Sequence, residues 1–266
     1  ISGCQDENNK LVSWIHVEQH TMDNLAASFR SEKEARACYN RFDQTICVSQ
    51  YVHDDFCQIL DFQKPCRVLY NTVESDKILA GACEAAPELK ADGKVRLIAV
   101  GTLKRSKGYM RLLQIIKRLQ DEKYLVHLYI LGIGPLQQEM EEYIRQNELQ
   151  DTVTLLSYQT NPYKYVSKCD LFVCASLAEG FSAATEALIV GTPICTVEVS
   201  GMKEMLGENN EWGVVTENSE DALYQGIRGL LDSPDRLACY KEKASERGKD
   251  FNTASTVIAA ENLFEE

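Results

Sequence analysis

The stretch Ser176 to Gly207, SLAEGFSAATEALIVGTPICTVEVSGMKEMLG, decides how the rest of this chain is read. Two carboxylates, Glu179 and Glu186, bracket a turn of small residues that leads into an apolar helix. Gly191-Thr192-Pro193 stops that helix, because proline cannot donate to the helical ladder and glycine accepts the backbone twist of a helix end. The β-branched run Ile194 to Val199 then reads as a strand. With the apolar run Leu171 to Ala175 before it, the stretch is a strand, helix, strand unit, the building block of a parallel sheet.

The same rhythm extends in both directions. Downstream, Trp212 to Val215 reads as a short strand and the tail from Ser219 as helical. Upstream, Val95 to Val100, Leu125 to Leu131 and Val153 to Leu156 are strands. Between the first two, Met110, Leu112, Leu113, Ile115, Ile116 and Leu119 recur at helical spacing. After Gly132-Ile133-Gly134-Pro135, the residues Leu136, Met140, Tyr143 and Ile144 share one helix face. Nearer the start, Leu11 to Val17, Thr45 to Val48 and Cys66 to Tyr70 read as strands, separated by helices over 24–40 and 50–60. Between Glu74 and Gly93 the composition turns to Ala, Glu, Asp and Lys with Pro87, which reads as a boundary. The expected organisation is 1–75, the latter part of an N-terminal Rossmann-like domain; 76–93, a linker; and 94–266, a C-terminal doubly wound α/β domain with a helical tail.

Bulk properties narrow the partners. A length of 266 residues exceeds a usual single domain. The formal charge of −12 argues against nucleic acid, whose binding needs clustered Lys and Arg to displace counterions. Ten cysteines stand singly with no C-x-x-C pair, and Cys47, Cys174 and Cys195 fall inside apolar runs as small hydrophobes, so a reducing, cytoplasmic setting is expected. His16 and His20 are four apart but lack the intervening Glu of the zinc-protease helix, and no metal is expected. No run is long and apolar enough for a membrane span. No signal pattern opens the chain, and the start at Ile1 suggests a fragment or processed product.

In open parallel sheets, ligands bind beyond the carboxyl ends of the strands, here the loops after Val100, Leu131, Leu156, Ala175 and Val199. The first holds Lys104, Arg105 and Lys107 between Gly101 and Gly108, just before a helix. Cations and free N–H groups at a helix start make an anion site, although a solvated basic loop has the same composition. In the loop after Ala175, Gly180, Ser182, Ala183 and Ala184 let backbone approach a ligand, and the flanking carboxylates offer acceptors to hydroxyl groups. A polyol next to a phosphate suits this pair of loops. An ordinary helix start, with Glu186 favoured by the macrodipole, is the alternative.

Five landmarks in order carry a family resemblance: Gly101-Thr102-Leu103 through Lys107-Gly108; Leu131 to Leu136; Glu179-Gly180-Phe181-Ser182 through Glu186-Ala187; Gly191-Thr192-Pro193; and Gly201 with Glu204. Together they resemble the retaining glycosyltransferases of family four. Val12 to His16 and Val48-Ser49 through Tyr70-Asn71 resemble the later part of that family's N-terminal domain. The resemblance implies the GT-B architecture of two Rossmann-like domains, with the N-terminal one incomplete here. It implies transfer of a hexose or similar sugar, with retention, from a nucleoside diphosphate donor, a UDP-sugar in the first instance. The acceptor would be a glycan or a lipid-linked glycan, as in cell-surface polysaccharide synthesis. It further implies a cytoplasmic protein with peripheral membrane association, and no metal or other cofactor.

Residue by residue, the resemblance has Lys107 contact the donor diphosphate, with Gly101, Thr102 and Arg105 in the same loop. Glu186 would accept hydrogen bonds from the ribose. Glu179 would bind the transferred sugar, and backbone amides around Phe181, Ser182 and Ala183 would complete the cradle. His16 would reach the sugar from the N-terminal half. Two departures stand out. Thr102 occupies the place of the family's second diphosphate cation, so Arg105 or Lys104 would substitute. Six residues separate Glu179 and Glu186 where the family has seven, and one residue fewer within a helix turns a side chain by about 100°. The other readings are a GT-B sugar-nucleotide epimerase or phosphorylase, or a non-catalytic nucleotide-sugar-binding module.

Overall fold

Short apolar, β-branched runs bounded by Gly, Pro and Ser become strands here, and helices on both sides bury them on two faces, as parallel strands require. The computed structural model describes residues 9–90, 92–177 and 182–265. The described strands form two all-parallel sheets, one of three strands and one of six. The chain divides into two compact units, one of residues up to Thr72 with 256–266, the other Val73–Ser255.

In the first unit β1 (Val12–Ile15), β2 (Gln44–Cys47) and β3 (Cys66–Val68) lie side by side in chain order. Trp14 pairs with Ile46, and Thr45 with Cys66. The helices are α1 (Met22–Ala26), α2 (Glu32–Tyr39) and α3 (Gln50–Leu60). The single helix expected over 24–40 is two helices. Ser31, extended at φ −165°, accepts from the Glu34 amide and starts a new one, since a side-chain cap satisfies an orphan N–H only when its own backbone is non-helical. Ser49 caps α3 in the same way, through the Val52 amide at 3.1 Å. Val52, Phe56 and Leu60 on that helix bury against Ile15, Cys47 and Val48.

The second unit opens with α4 (Ser75–Ala82), inside the stretch expected to be linker. Ile78 is buried on it, and the amide and hydroxyl of Ser75 bond to Thr253 Oγ1. There follow β4 (Val95–Val100), a 3-10 turn (Arg105–Lys107), α5 (Tyr109–Asp121), β5 (Val126–Leu131), α6 (Gln137–Gln146) and β6 (Val153–Leu155). Then come α7 (Tyr163–Val166), β7 (Leu171–Cys174), α8 (Ser182–Ile189), β8 (Ile194–Val197), α9 (Met202–Leu206) and β9 (Val214–Thr216). Strand β9 starts two residues later than expected, because the Trp212 amide is held by the Leu206 carbonyl at 2.9 Å. The tail is α10 (Glu220–Leu231), α11 (Pro234–Gly248) and α12 (Thr253–Glu265). Pro234 breaks it by starting α11, a position where the missing N–H costs nothing. From residue 256 the tail groups with the first unit rather than with the C-terminal domain.

The large sheet runs β6-β5-β4-β7-β8-β9. Chain order therefore proceeds outward from β4 to one edge, returns, and proceeds outward from β7 to the other. The crevice between β4 and β7 is the topological switch point where such sheets bind ligands. Leu112, Leu113, Ile115, Ile116 and Leu119 seat α5 on the sheet, each at most 1% exposed. Burying each such side chain stabilises by about 1.5–3 kcal/mol. No described helix is long and apolar enough to cross a membrane.

Candidate functional site at the strand switch point

At the carboxyl end of β4 the chain turns through Gly101 to Gly108 into α5. Gly108 has φ +67°, and a Cβ there would collide with the Ala175 carbonyl at the end of β7. Gly132, at φ +147°, likewise brings the end of β5 against the Gly101 carbonyl. Glycine at both places is thus a condition for three strand ends to meet. Backbone bonds hold them there: Gly101 N to Leu131 O at 3.0 Å, Gly132 N to Ser157 O at 2.8 Å, and Leu177 N to Ser106 O at 2.7 Å. Arg111, on the first turns of α5, donates to the carbonyls of Ala175 and Ser176 and, at 2.9 Å, to Asn218 Oδ1.

Two cavities flank the end of β4, and Val100 lines both. The smaller, about 10 Å³, lies over the switch point and is lined by Lys107, Tyr109, Ala175, Ser176, Ala183 and Met202 among others. The larger, about 390 Å³, is lined by Gly101, Thr102, Gly132, Tyr158, Tyr163 and Glu186 among others. Glu186 is half-buried on α8. Burial raises its pKa above the usual carboxylate value, and among the described residues the Tyr163 hydroxyl, donating to Oε1 at 3.5 Å, opposes this. A carboxylate in that state is short of donors, and a ligand bearing hydroxyl groups supplies what desolvation removed.

The predicted residues separate as follows. Gly101, Thr102 and Glu186 share the larger cavity. Lys107 and Ala183 share the smaller one. Ser182 opens α8 and is exposed. Arg105 lines neither cavity: its side chain is 80% exposed and pairs with Glu139 Oε2 at 3.1 Å. His16 sits just past the end of β1, exposed and stacked on Trp14 with ring centroids 6.4 Å apart. Trp14 itself is 37% exposed. Glu179, Gly180 and Phe181 lie outside the described residues.

Sequence reasoning missed Tyr158, Pro162 and Tyr163, which line the larger cavity, and Arg111 and Asn218, which brace its neighbour. The strand-end rule points to the loop after Leu156 but not to those side chains. Nothing in the local pattern distinguishes Arg111 from the other cations of α5.

Comparison with known proteins agrees with this geometry. The sequence profile of the family described as glycosyl transferases group 1 matches residues 84–247. An N-acetylgalactosamine-N,N'-diacetylbacillosaminyl-diphospho-undecaprenol 4-alpha-N-acetylgalactosaminyltransferase of Campylobacter jejuni is 34% identical over 192 residues, 71% of this chain and 50% of that protein. The Escherichia coli putative colanic acid biosynthesis glycosyltransferase WcaL is 28% identical over 170 residues, 59% of this chain and 42% of its own length. The chain thus spans half or less of these curated relatives. Among solved structures, Anabaena HepE in complex with UDP superposes with a TM-score of 0.82 at 18% identity, covering 97% of this chain and 73% of that one. TarM of S. aureus, solved with fondaparinux, alpha-GlcNAc-glycerol and UDP, gives 0.79 at 19% identity, covering 99% and 52%. These likenesses carry the fold, which is the α/β GT-B type built from Rossmann-like units. With the family profile spanning most of the unit that holds both cavities, the chain belongs to the glycosyl transferases group 1 family.

Proposed function

We propose that the protein is a retaining hexosyltransferase that moves a sugar from a nucleoside diphosphate donor, a UDP-sugar, onto a glycan or lipid-linked acceptor in cell-surface polysaccharide synthesis. One observation carries this reading: Glu186, half-buried and poorly compensated, faces the same cavity as Gly101 and Thr102, beside the sheet's switch point. The relatives' names support the acceptor class, and the UDP in the HepE complex supports the donor class.

In this reading Glu186 accepts the ribose hydroxyls, and Lys107 and the amides of the Gly101 loop take the diphosphate. Glu179, Phe181, Ser182 and Ala183 cradle the sugar, and His16 serves the same sugar. Tyr158 and Ile133, at 66% and 53% exposure, offer apolar faces to the base. The bond from the anomeric carbon to the β-phosphate oxygen breaks, and the electron pair leaves with the nucleoside diphosphate. The acceptor oxygen bonds that carbon on the face the diphosphate vacated, and its proton passes to the departing phosphate. Negative charge grows on the β-phosphate as the bond breaks, so fixed cations and N–H groups there favour the transition state over the ground state. Transfer needs no metal in this scheme and proceeds in chelator. The protein acts as a peripheral protein at the cytoplasmic face of a membrane.

Isothermal titration of UDP into Glu186→Ala tests the assignment. Two hydroxyl bonds to a carboxylate, each worth about 1.5–3 kcal/mol, predict an affinity loss of at least about 100-fold. Unchanged affinity overturns it. A thermal-shift screen with UDP-, GDP- and ADP-sugars then tests the base, and stabilisation by UDP-sugars above the others is the expected result.

A further inference from the structure

In the first unit, three thiols and an imidazole gather from three elements. Cys47 ends β2, Cys66 starts β3, and His53 and Cys57 lie one turn apart on α3. The ligand atoms of His53, Cys57 and Cys66 all lie within 4.8 Å of one another. Cys47 Sγ is 3.7 Å from Cys66 Sγ, and Cys57 Sγ is 3.8 Å from His53 Nε2. A tetrahedron with zinc–sulfur bonds of about 2.3 Å and zinc–nitrogen bonds of about 2.0 Å has edges of about 3.5–3.8 Å, so the Cys57–His53 separation of 3.8 Å already matches an edge and the other pairs of the group, within 4.8 Å, close by about 1 Å. His16 and His20 attract attention in the sequence, but the pair with the same spacing that meets thiols is His53 and Cys57.

We propose that His53, Cys57 and Cys66, with solvent completing the coordination, form a zinc site that ties α3 to β3. The neighbour of His53 supports this. Nδ1 lies 2.8 Å from Asp54 Oδ1 and 3.1 Å from Gln50 Nε2, and in the tautomer that donates to the carboxylate Nε2 keeps its lone pair on the side of Cys57. A carboxylate behind the imidazole is the arrangement that orients a zinc-ligating histidine. His53 keeps a quarter of its side chain exposed, which gives an ion a way in. A packing role alone explains the apolar surroundings of Cys47 but not the convergence of an oriented imidazole on two further sulfurs. On binding, Zn²⁺ replaces the protons of the Cys57 and Cys66 thiols, which pass to solvent, and no electron is transferred.

The test uses the reduced protein, stripped with chelator and titrated with Co²⁺. One Co²⁺ per chain is expected, with sulfur-to-metal charge-transfer absorption and the visible bands of a tetrahedral site, both lost when Zn²⁺ displaces it. Cys57→Ser and Cys66→Ser should weaken binding by at least about 100-fold. Asp54→Asn, at an exposed position that leaves the core intact, should weaken it about 10–100-fold with an unchanged circular dichroism spectrum. The Asp54→Asn measurement keeps the test decisive if a cysteine variant does not fold. Absence of the charge-transfer band, equal affinity in Cys57→Ser or in Asp54→Asn, or a Cys47–Cys66 disulfide in non-reducing peptide maps of freshly isolated protein overturns the proposal.

Discussion

Gly108 shows how one missing Cβ shapes the site. Its φ of +67° and its contact with the Ala175 carbonyl are two separate demands, and an alanine fails both. Gly108→Ala is expected to lower the free energy of unfolding by about 1–3 kcal/mol, read from the urea midpoint. It should also weaken UDP binding, since the adjacent Lys107 must move with the turn. Gly93 is the control: its φ is +77°, but a Cβ there meets nothing within 4 Å. Gly93→Asn should therefore stay within about 1 kcal/mol of the parent, because asparagine tolerates that conformation. Both glycines are visible in the sequence as loop residues. What separates them is the carbonyl of a strand far away in the chain, which no local pattern reports.

Among the elements, α5 contributes more than its apolar face. Hydrophobic spacing reveals the face, because five side chains must meet the sheet within a few turns. The opposite demand, that Arg111 hold the carbonyls beyond β7, leaves no periodic trace. Arg111 is half-buried, and burial lowers its pKa, yet the guanidinium stays charged at neutral pH and serves as a fixed donor fork. Arg111→Met is expected to strand the Ala175 and Ser176 carbonyls, destabilising by about 1–3 kcal/mol and weakening UDP binding at least tenfold. Arg111→Lys should recover part of the stability but less of the affinity, since an ammonium cannot reproduce the fork. Urea titration and calorimetry read the two effects separately. The division of the region over 24–40 into α1 and α2 is a case where the sequence did hold the signal. Ser31 followed by Glu34 is a capping pattern inside a run that composition alone makes continuous.

For the whole molecule, the six-stranded sheet carries a pH liability. His127 on β5 is fully buried, with Nε2 at 2.8 Å from Thr154 Oγ1. Burial first, with the Lys90 and Lys94 cations adding to it, lowers its pKa to about 4. The unfolded chain takes up this proton near pH 6.5 and the folded chain only near 4, so the unfolded state binds more protons between those values. Stability from this group is therefore complete above about pH 6.5, falls as pH drops, and bottoms out below about 4. The total loss is on the order of 3–4 kcal/mol, at about 1.4 kcal/mol per pH unit. Urea midpoints measured at pH 7 and pH 5 should fall less in His127→Gln than in the parent protein. By itself the sequence determined the alternation of strands and helices, the parallel character of the sheets, the family and the loops that carry Lys107 and Glu186. Those follow from propensity, capping and turn chemistry, which act between residues a few positions apart. Only the tertiary structure decided that β4 and β7 are neighbours, that Glu186 shares its cavity with Tyr163, that Arg105 spends its charge on Glu139, and that His53 meets two thiols. Strand order and side-chain convergence are set by packing between elements distant in the chain, and that packing leaves no mark on the local sequence of either partner.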